Sequence, residues 1–219
     1  VDLMVVGKFA EAADASGVNT GSQVMMMLTF VVTSFSMAVT ILMGQHIGEK
    51  SPEKAGDVIG TGIIMFAVMA IAMTFAGVIF APEIAAGLKA PRDAFNQTVS
   101  YIRVCSSGFV FIIAYNVMSG VFRGVGDSVM PLISVTIASV FNIIGDLFFV
   151  KGMGMGAKGA AIATVMAQVI SVILSMFIIS KRKMPFILTK DKLRIDKSIA
   201  KRIFSLGTPL LLQDILVSV

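Results

Sequence analysis

The sequence predicts an all-α, polytopic transmembrane helix bundle, on three observations. Of 219 residues, 56% are hydrophobic and 14% charged, and the mean hydropathy is +0.90, whereas soluble domains average about 25% charged residues. A soluble chain of this length buries only about 70–75% of its unfolded surface, so much of this apolar excess would face water. The apolar residues also form runs of about 20 without period-two alternation, which fits spanning helices and not barrel strands.

Five stretches are long enough to span: roughly 22–44, 58–81, 99–122, 130–150 and 157–180. Two shorter apolar stretches lie at 1–10 and 204–219. Val1-Asp2-Leu3 has neither an initiator Met nor a basic leader, and Val219 falls within an apolar run, so the chain is expected to be a piece of a longer protein. The connections carry breakers: Pro52 in 44–57, Pro82 and Pro91 in 81–96, RGVGDSVMP at 123–131 and KGMGMGAKG at 151–159. Such short loops make successive helices antiparallel.

Charge orients the bundle. Lys50, Lys54, Arg123 and nine Lys or Arg from Lys181 to Arg202 lie in alternate loops on one side, twelve in all. Lys8, Lys89, Arg92, Lys151 and Lys158 lie on the other, and Arg103 sits near the start of a span. The positive-inside rule places the 44–57, 123–129 and 181–202 loops in the cytoplasm. It also accounts for the net charge of +5 without a nucleic-acid partner. Within the basic stretch, Ile195, Ile199 and Ile203 recur every fourth residue, with Asp196 as N-cap and Gly207 as C-cap. This reads as a short amphipathic helix on the inner leaflet linking two halves, or as a frayed helix in an ordinary loop. The expected organisation is a membrane lobe at 1–180, a basic linker at 181–203 and the start of a further span at 204–219.

Polar residues inside spans carry the functional signal, because a mid-helix carboxylate costs roughly 2.5–3.5 kcal/mol on insertion scales. Asp146, in SVFNIIGDLFFV, has Asn142 one turn before it on the same helix face. Oxygen ligands so placed suit a hard monovalent or divalent cation. A desolvated Asp146 would instead carry a proton, and the bland alternative is an interhelical hydrogen bond that fixes packing. Thr164 and Gln168, one turn apart in the next span, can add a hydroxyl and an amide. Asp2 and Asp214 are the other acids within apolar stretches, Asp214 preceded by Gln213 and one turn beyond Pro209. Sixteen methionines, including Met25, Met26 and Met27, suit an adaptable apolar surface and are also ordinary lipid-facing filler. Met27, Gln168, Gln213 and Asp214 are the candidate cavity-lining residues.

Other patterns are set aside. Gly154-x-Gly156-x-x-Gly159 joins two spans with no strand before it, so it is a turn and not a dinucleotide loop. Asn96-Gln97-Thr98 is a weak sequon, and His46, the lone histidine, sits at a helix end. Cys105 has no partner for a disulfide. No set of residues suited to intramembrane catalysis is present, so an enzyme is disfavoured and no cofactor is expected.

With these residues in hand, the chain resembles the amino-terminal half of a MATE (multidrug and toxic compound extrusion) transporter. The resemblance rests on VDLMVVGKF, GQHIGEKSPEKA, FRGVGDSVMP, NIIGD, GAKGAAIATVMAQ and LGTPLLLQD, in this order and spacing over nearly all of the chain. It implies twelve helices in two six-helix lobes, with this chain holding the first lobe and the start of helix 7. Asp2, Asn142, Asp146 and Thr164 match the pattern of the bacterial DinF- and MepA-like branch, which implies a first-lobe site for the coupling Na⁺ or H⁺. The NorM-like and eukaryotic branches place a Glu deeper in helix 7, where this chain has Asp214 near the start. The implied activity is cation/drug antiport by alternating access in a bacterial inner membrane. Its substrates would be small amphipathic organic cations, and its partners the lipid bilayer and a carboxy-terminal lobe of the same chain. The alternatives are a lipid-linked oligosaccharide flippase of the wider superfamily, which would need cavity Arg or Lys to grip pyrophosphate, and a non-transporting structural bundle.

Overall fold

A computed structural model describes residues 2–182 and 184–218, apart from the side chains of Lys190, Val217 and Ser218. Val1 and Val219, on which the expectation of a longer protein rests, and Lys183 of the basic stretch lie outside the described residues. The chain is 86% helical, with no strand among the described residues. The helices are α1 (Asp2–Phe9), α2 (Ala12–Gly48), α3 (Pro52–Ile79), α4 (Ala81–Gly87), α5 (Phe95–Ser107), α6 (Phe109–Gly124), α7 (Val129–Asp146), α8 (Gly156–Lys181) and α9 (Lys197–Ser218).

α2, α3, α8 and α7 continued to Gly152 are long and apolar enough to cross a membrane. Their outward side chains agree: Val68, Ile71, Phe75 and Ile79 form one stripe of α3, each 58–62% exposed. An apolar stripe of this length needs lipid or protein against it. The span expected at 99–122 is instead broken, with α5 and α6 meeting at a 51° bend. The break falls at Gly108, which approaches α8 so closely that a Cβ there would lie 2.4 Å from Val165 Cγ1.

The described chain divides into two compact units. The first comprises 1–27, 70–112 and 135–171, around Val6, Val18, Ile102, Phe109 and Val150, all at most 1% exposed. It contains six of the eighteen Lys and Arg. The Asp14 side chain of α2 caps α8, accepting a 2.9 Å hydrogen bond from the Ala157 N–H. Gly156, at φ +52°, leaves room for that carboxylate, since a Cβ would fall 2.3 Å from its Oδ1.

The second unit comprises 28–69, 113–134 and 172–219 and contains the other twelve basic residues, the same twelve that the loop arithmetic puts on the cytoplasmic side. Here α2 and α6 meet along a seam of small polar groups. Ser36 Oγ donates to the Asn116 carbonyl at 2.9 Å, and Thr40 Oγ1 to the Gly120 carbonyl at 3.0 Å. A Cβ on Gly120 would stand 2.5 Å from Ser36 Oγ, and one on Gly124 2.0 Å from Met43 Cε. In an apolar solvent such close backbone approach is what holds helices together.

The basic stretch corrects two expectations. Asp196 does cap a helix, its Oδ1 accepting from the Ser198 and Ile199 N–H groups at 2.8 and 3.1 Å. Gly207, however, lies inside α9, which runs on through Pro209 to Ser218. The glycine serves contact and not termination: a Cβ would sit 2.4 Å from Phe35 Cδ1, and Phe204 meets the same ring edge-on at 5.4 Å. The isoleucine stripe also turns inward as α9 proceeds, from Ile195 at 52% exposed to Ile203 at 1%. The face of α9 left outside carries Lys197, Lys201 and Phe204.

Candidate cation site

Asp146 ends α7 where the chain widens into a six-residue π turn, Leu147–Gly152, whose Met153 N–H reaches back five residues to Phe148 O at 3.0 Å. Such insertions recur at functional sites. Just before it, Gly145 lets α7 press onto α8, because a Cβ there would come within 2.9 Å of Ala163 Cβ. The neighbouring α8 residue is Thr164. α1 packs against the widened turn, with the Phe9 ring under the Lys151 ammonium at 4.9 Å. Three helices thus bring Asp2, Asn142 and Thr164 together.

Their hydrogen bonds run in series. Asn142 Nδ2 donates to Thr164 Oγ1 at 3.3 Å, and that hydroxyl donates to Asp2 Oδ2 at 2.6 Å. The three residues line a cavity of about 190 Å³ together with Gln168 and Ser139. Among the described residues no Lys or Arg lines it. Gln168 Oε1 is buried there without a hydrogen-bond partner.

Asp146 does not line the cavity. It is 0% exposed, and neither carboxylate oxygen has a hydrogen-bond partner. Asp2 is close enough to act on it electrostatically. Asn142 and Asp146 therefore do not share a bonded partner; the amide engages Thr164 and the acid is sealed behind it. An unpaired buried carboxylate costs several kcal/mol, and a second acid beside it adds to that. Among the described residues no group of three or more His, Cys, Asp and Glu is clustered to hold a metal. A metal ion here would depend on a mixed set of carboxylate, hydroxyl and amide oxygens.

The MatE family model matches residues 1–148. The chain belongs to the MatE family. It is 27% identical over 229 aligned positions to the probable multidrug resistance protein YoeA of Bacillus subtilis, covering 100% of this chain and 49% of that protein. It is 26% identical to the multidrug export protein MepA of Staphylococcus saprophyticus, over 72% of this chain and 34% of that one. The solved outward-facing conformation of a multidrug resistance MATE family transporter of the MOP superfamily superposes with a TM-score of 0.90 at 23% identity. That match covers 99% of this chain and 48% of the other, and at this identity it shows the fold alone. This MatE chain spans about half the length of the relatives it matches.

The remaining candidates lie elsewhere in the MatE fold. Met27 belongs to the first unit and is 59% exposed, outside the cavity. Gln213 is exposed and Asp214 half-buried in the second unit. Asp214 Oδ2 accepts from Ser34 Oγ at 2.8 Å, which gives it a packing partner on α2. Ser34 and the α2–α6 seam escaped the sequence reading. The spacing of Ser36 with Thr40, and of Gly120 with Gly124, is the small-xxx-small signal that could have found that seam.

Proposed function

We propose that this chain forms the first lobe of a multidrug exporter in which Asp2, Asn142, Asp146 and Thr164 bind the coupling cation, Na⁺ or H⁺. The observation that carries this reading is the Asp146 carboxylate, wholly buried with both oxygens unpaired and beside a second acid. A residue so placed changes its energy by several kcal/mol when a cation or proton arrives. That differential is what a coupling ion needs, because a ligand shifts a conformational equilibrium only by its unequal affinity for the two states.

The cavity size supports giving this site to the ion and not to the exported compound. At about 190 Å³ it admits an ion with a few waters, whereas drug-sized ligands occupy roughly 300–1,000 Å³. The relatives' names speak of multidrug resistance and multidrug export; the exported compound, which we take to be an amphipathic organic cation, would use the cleft completed by a second lobe. In transporters of this kind sites lie between structural repeats. Entry of the cation from outside would neutralise the acids and favour the state that releases drug outward, across a bacterial plasma membrane.

The test uses the full-length protein in proteoliposomes, with efflux of a cationic dye followed under imposed Na⁺ or H⁺ gradients. Efflux should follow one gradient and be lost in Asp146→Asn. Gradient-driven efflux that survives this substitution would reduce Asp146 to a packing residue.

A further inference from the structure

The stretch from Ile187 to Asp196 is not a free loop. The Ile187 N–H donates to Pro52 O at 3.2 Å, Lys192 Nζ pairs with Asp57 at 3.1 Å, and Thr61 Oγ1 bonds both Arg194 O and the Asp196 N–H. It lies directly on α3, where a Cβ on Gly56 or Gly60 would come within 1.9 Å of the Ile187 or Lys192 carbonyl oxygen. This strap fixes the entry of α9 and, with it, an outward strip of Arg194, Lys197, Lys201 and Arg202, all exposed. Among the described residues none of the four forms an ion pair. Several acids of the same unit are engaged elsewhere, Asp57 by Lys192, Asp127 by Arg182 and Asp196 by the α9 N–H groups, while Glu49 pairs with His46 and feels Arg202 only at longer range. Beside the cations stand Ile195 and Phe204, each 52% exposed.

We propose that this strip is a binding surface for anionic phospholipid headgroups of the inner leaflet. Exposed cations beside exposed apolar side chains, at the start of α9, match a surface with phosphate above and acyl chain below. A soluble anion would use the cations and leave Ile195 and Phe204 in water. The strap makes the match specific, because it holds the strip in one geometry instead of letting it sample many. Each Lys or Arg near an anionic surface favours it by about fivefold. The inference is independent of the efflux reading, since it concerns lipid contact and not transport.

The chain contains no tryptophan, so Ile195→Trp introduces a local reporter. The full-length variant is reconstituted in phosphatidylcholine with an equal mole fraction of brominated phosphatidylglycerol or brominated phosphatidylcholine, and the fluorescence of the unsubstituted protein is subtracted. Brominated phosphatidylglycerol should quench at least about twofold more at low salt. The preference should fall to parity in about 1 M salt, where the Debye length is near 3 Å. Lys197→Gln with Lys201→Gln should also abolish it, while Lys197→Arg with Lys201→Arg, which retains charge and shape, should keep it. Equal quenching by the two lipids, or a preference unaffected by the double glutamine variant, would overturn the proposal. Loss of the preference on adding millimolar inorganic phosphate at constant ionic strength would overturn it too, by marking a soluble-anion site.

Discussion

Substituting Gly60 by alanine isolates the force that holds the strap on α3. The new Cβ would lie 1.9 Å from Lys192 O and 2.7 Å from its carbonyl carbon, where a carbon and a carbonyl oxygen normally keep at least about 3.3 Å. Backbone atoms cannot rotate aside, so the strap must lift by more than an ångström. The Ile187–Pro52, Thr61–Arg194 and Asp196–Thr61 bonds are already 3.2–3.3 Å long and would not survive it. Three hydrogen bonds at about 1 kcal/mol each bound the effect from above, and an overpacked methyl at 1–3 kcal/mol gives a similar figure. Strap opening should therefore become easier by about 2–3 kcal/mol, or roughly 30–150-fold in open population. Global melting would blur this, because alanine also favours the α3 helix by about 1 kcal/mol. That gain is present whether the strap is on or off, so a local assay escapes it. Limited trypsin cleavage at Arg194, in the regime where cleavage follows the open population, should accelerate in proportion. Gly56→Ala should act alike, and Gly87→Ala, with nothing within 4 Å of its Cβ, should change nothing. Unaltered cleavage in both strap variants would refute the steric reading.

Four further outcomes follow from the same contacts. Thr164→Val removes the hydroxyl that joins Asn142 to Asp2 and should weaken cation coupling at least about fivefold, while Thr164→Ser restores it; this is measured as the half-saturating cation concentration for dye efflux, with loss of about 1–3 kcal/mol expected for an orphaned buried group. Asp146→Asn should raise the melting temperature of the cation-free protein while abolishing coupling, because a neutral amide replaces an uncompensated buried acid; a fall in melting temperature would mean that the carboxylate is paired. The Met130 N–H, helped by Arg182 and the Val129 N–H, holds the Asp127 carboxyl below its usual range. Its contribution to α7 is thus complete above the unfolded-state pKa and is lost as pH falls through the lower folded value, so Asp127→Ala should cost about 1 kcal/mol at neutral pH and progressively less in acid, read from the melting temperature across that range. Gly207→Val should push α9 off Phe35 and destabilise by about 1–3 kcal/mol, detected as earlier thermal unfolding in detergent.

What was legible in the sequence follows from what the bilayer penalises. Spans declare themselves because water cannot satisfy a backbone there, and Asp146 does so because nothing apolar would replace it at such cost. The seam of Thr40, Ser36 and Asn116 stayed hidden for the opposite reason: hydroxyls bond their own helix and pass unnoticed among apolar neighbours, as Thr40 also does through Ser36 O. Glycine is ambiguous in the same way. Gly207 in LGTP has the letters of a helix end, and only the Phe35 ring, 172 residues away in sequence, shows that it is a notch. Gly108 reads like any glycine in a span until Val165 of α8 is set against it. Asp14, near the start of α2, caps a helix 143 residues downstream. The site divides along this line. Asn142 and Asp146 could be paired by spacing alone, but spacing implied convergence on one point. The structure gives the amide to Thr164 and leaves the acid sealed. Local periodicity fixes which face a residue occupies; the partner met on that face depends on close approaches such as Gly145 on Ala163, which no local pattern encodes.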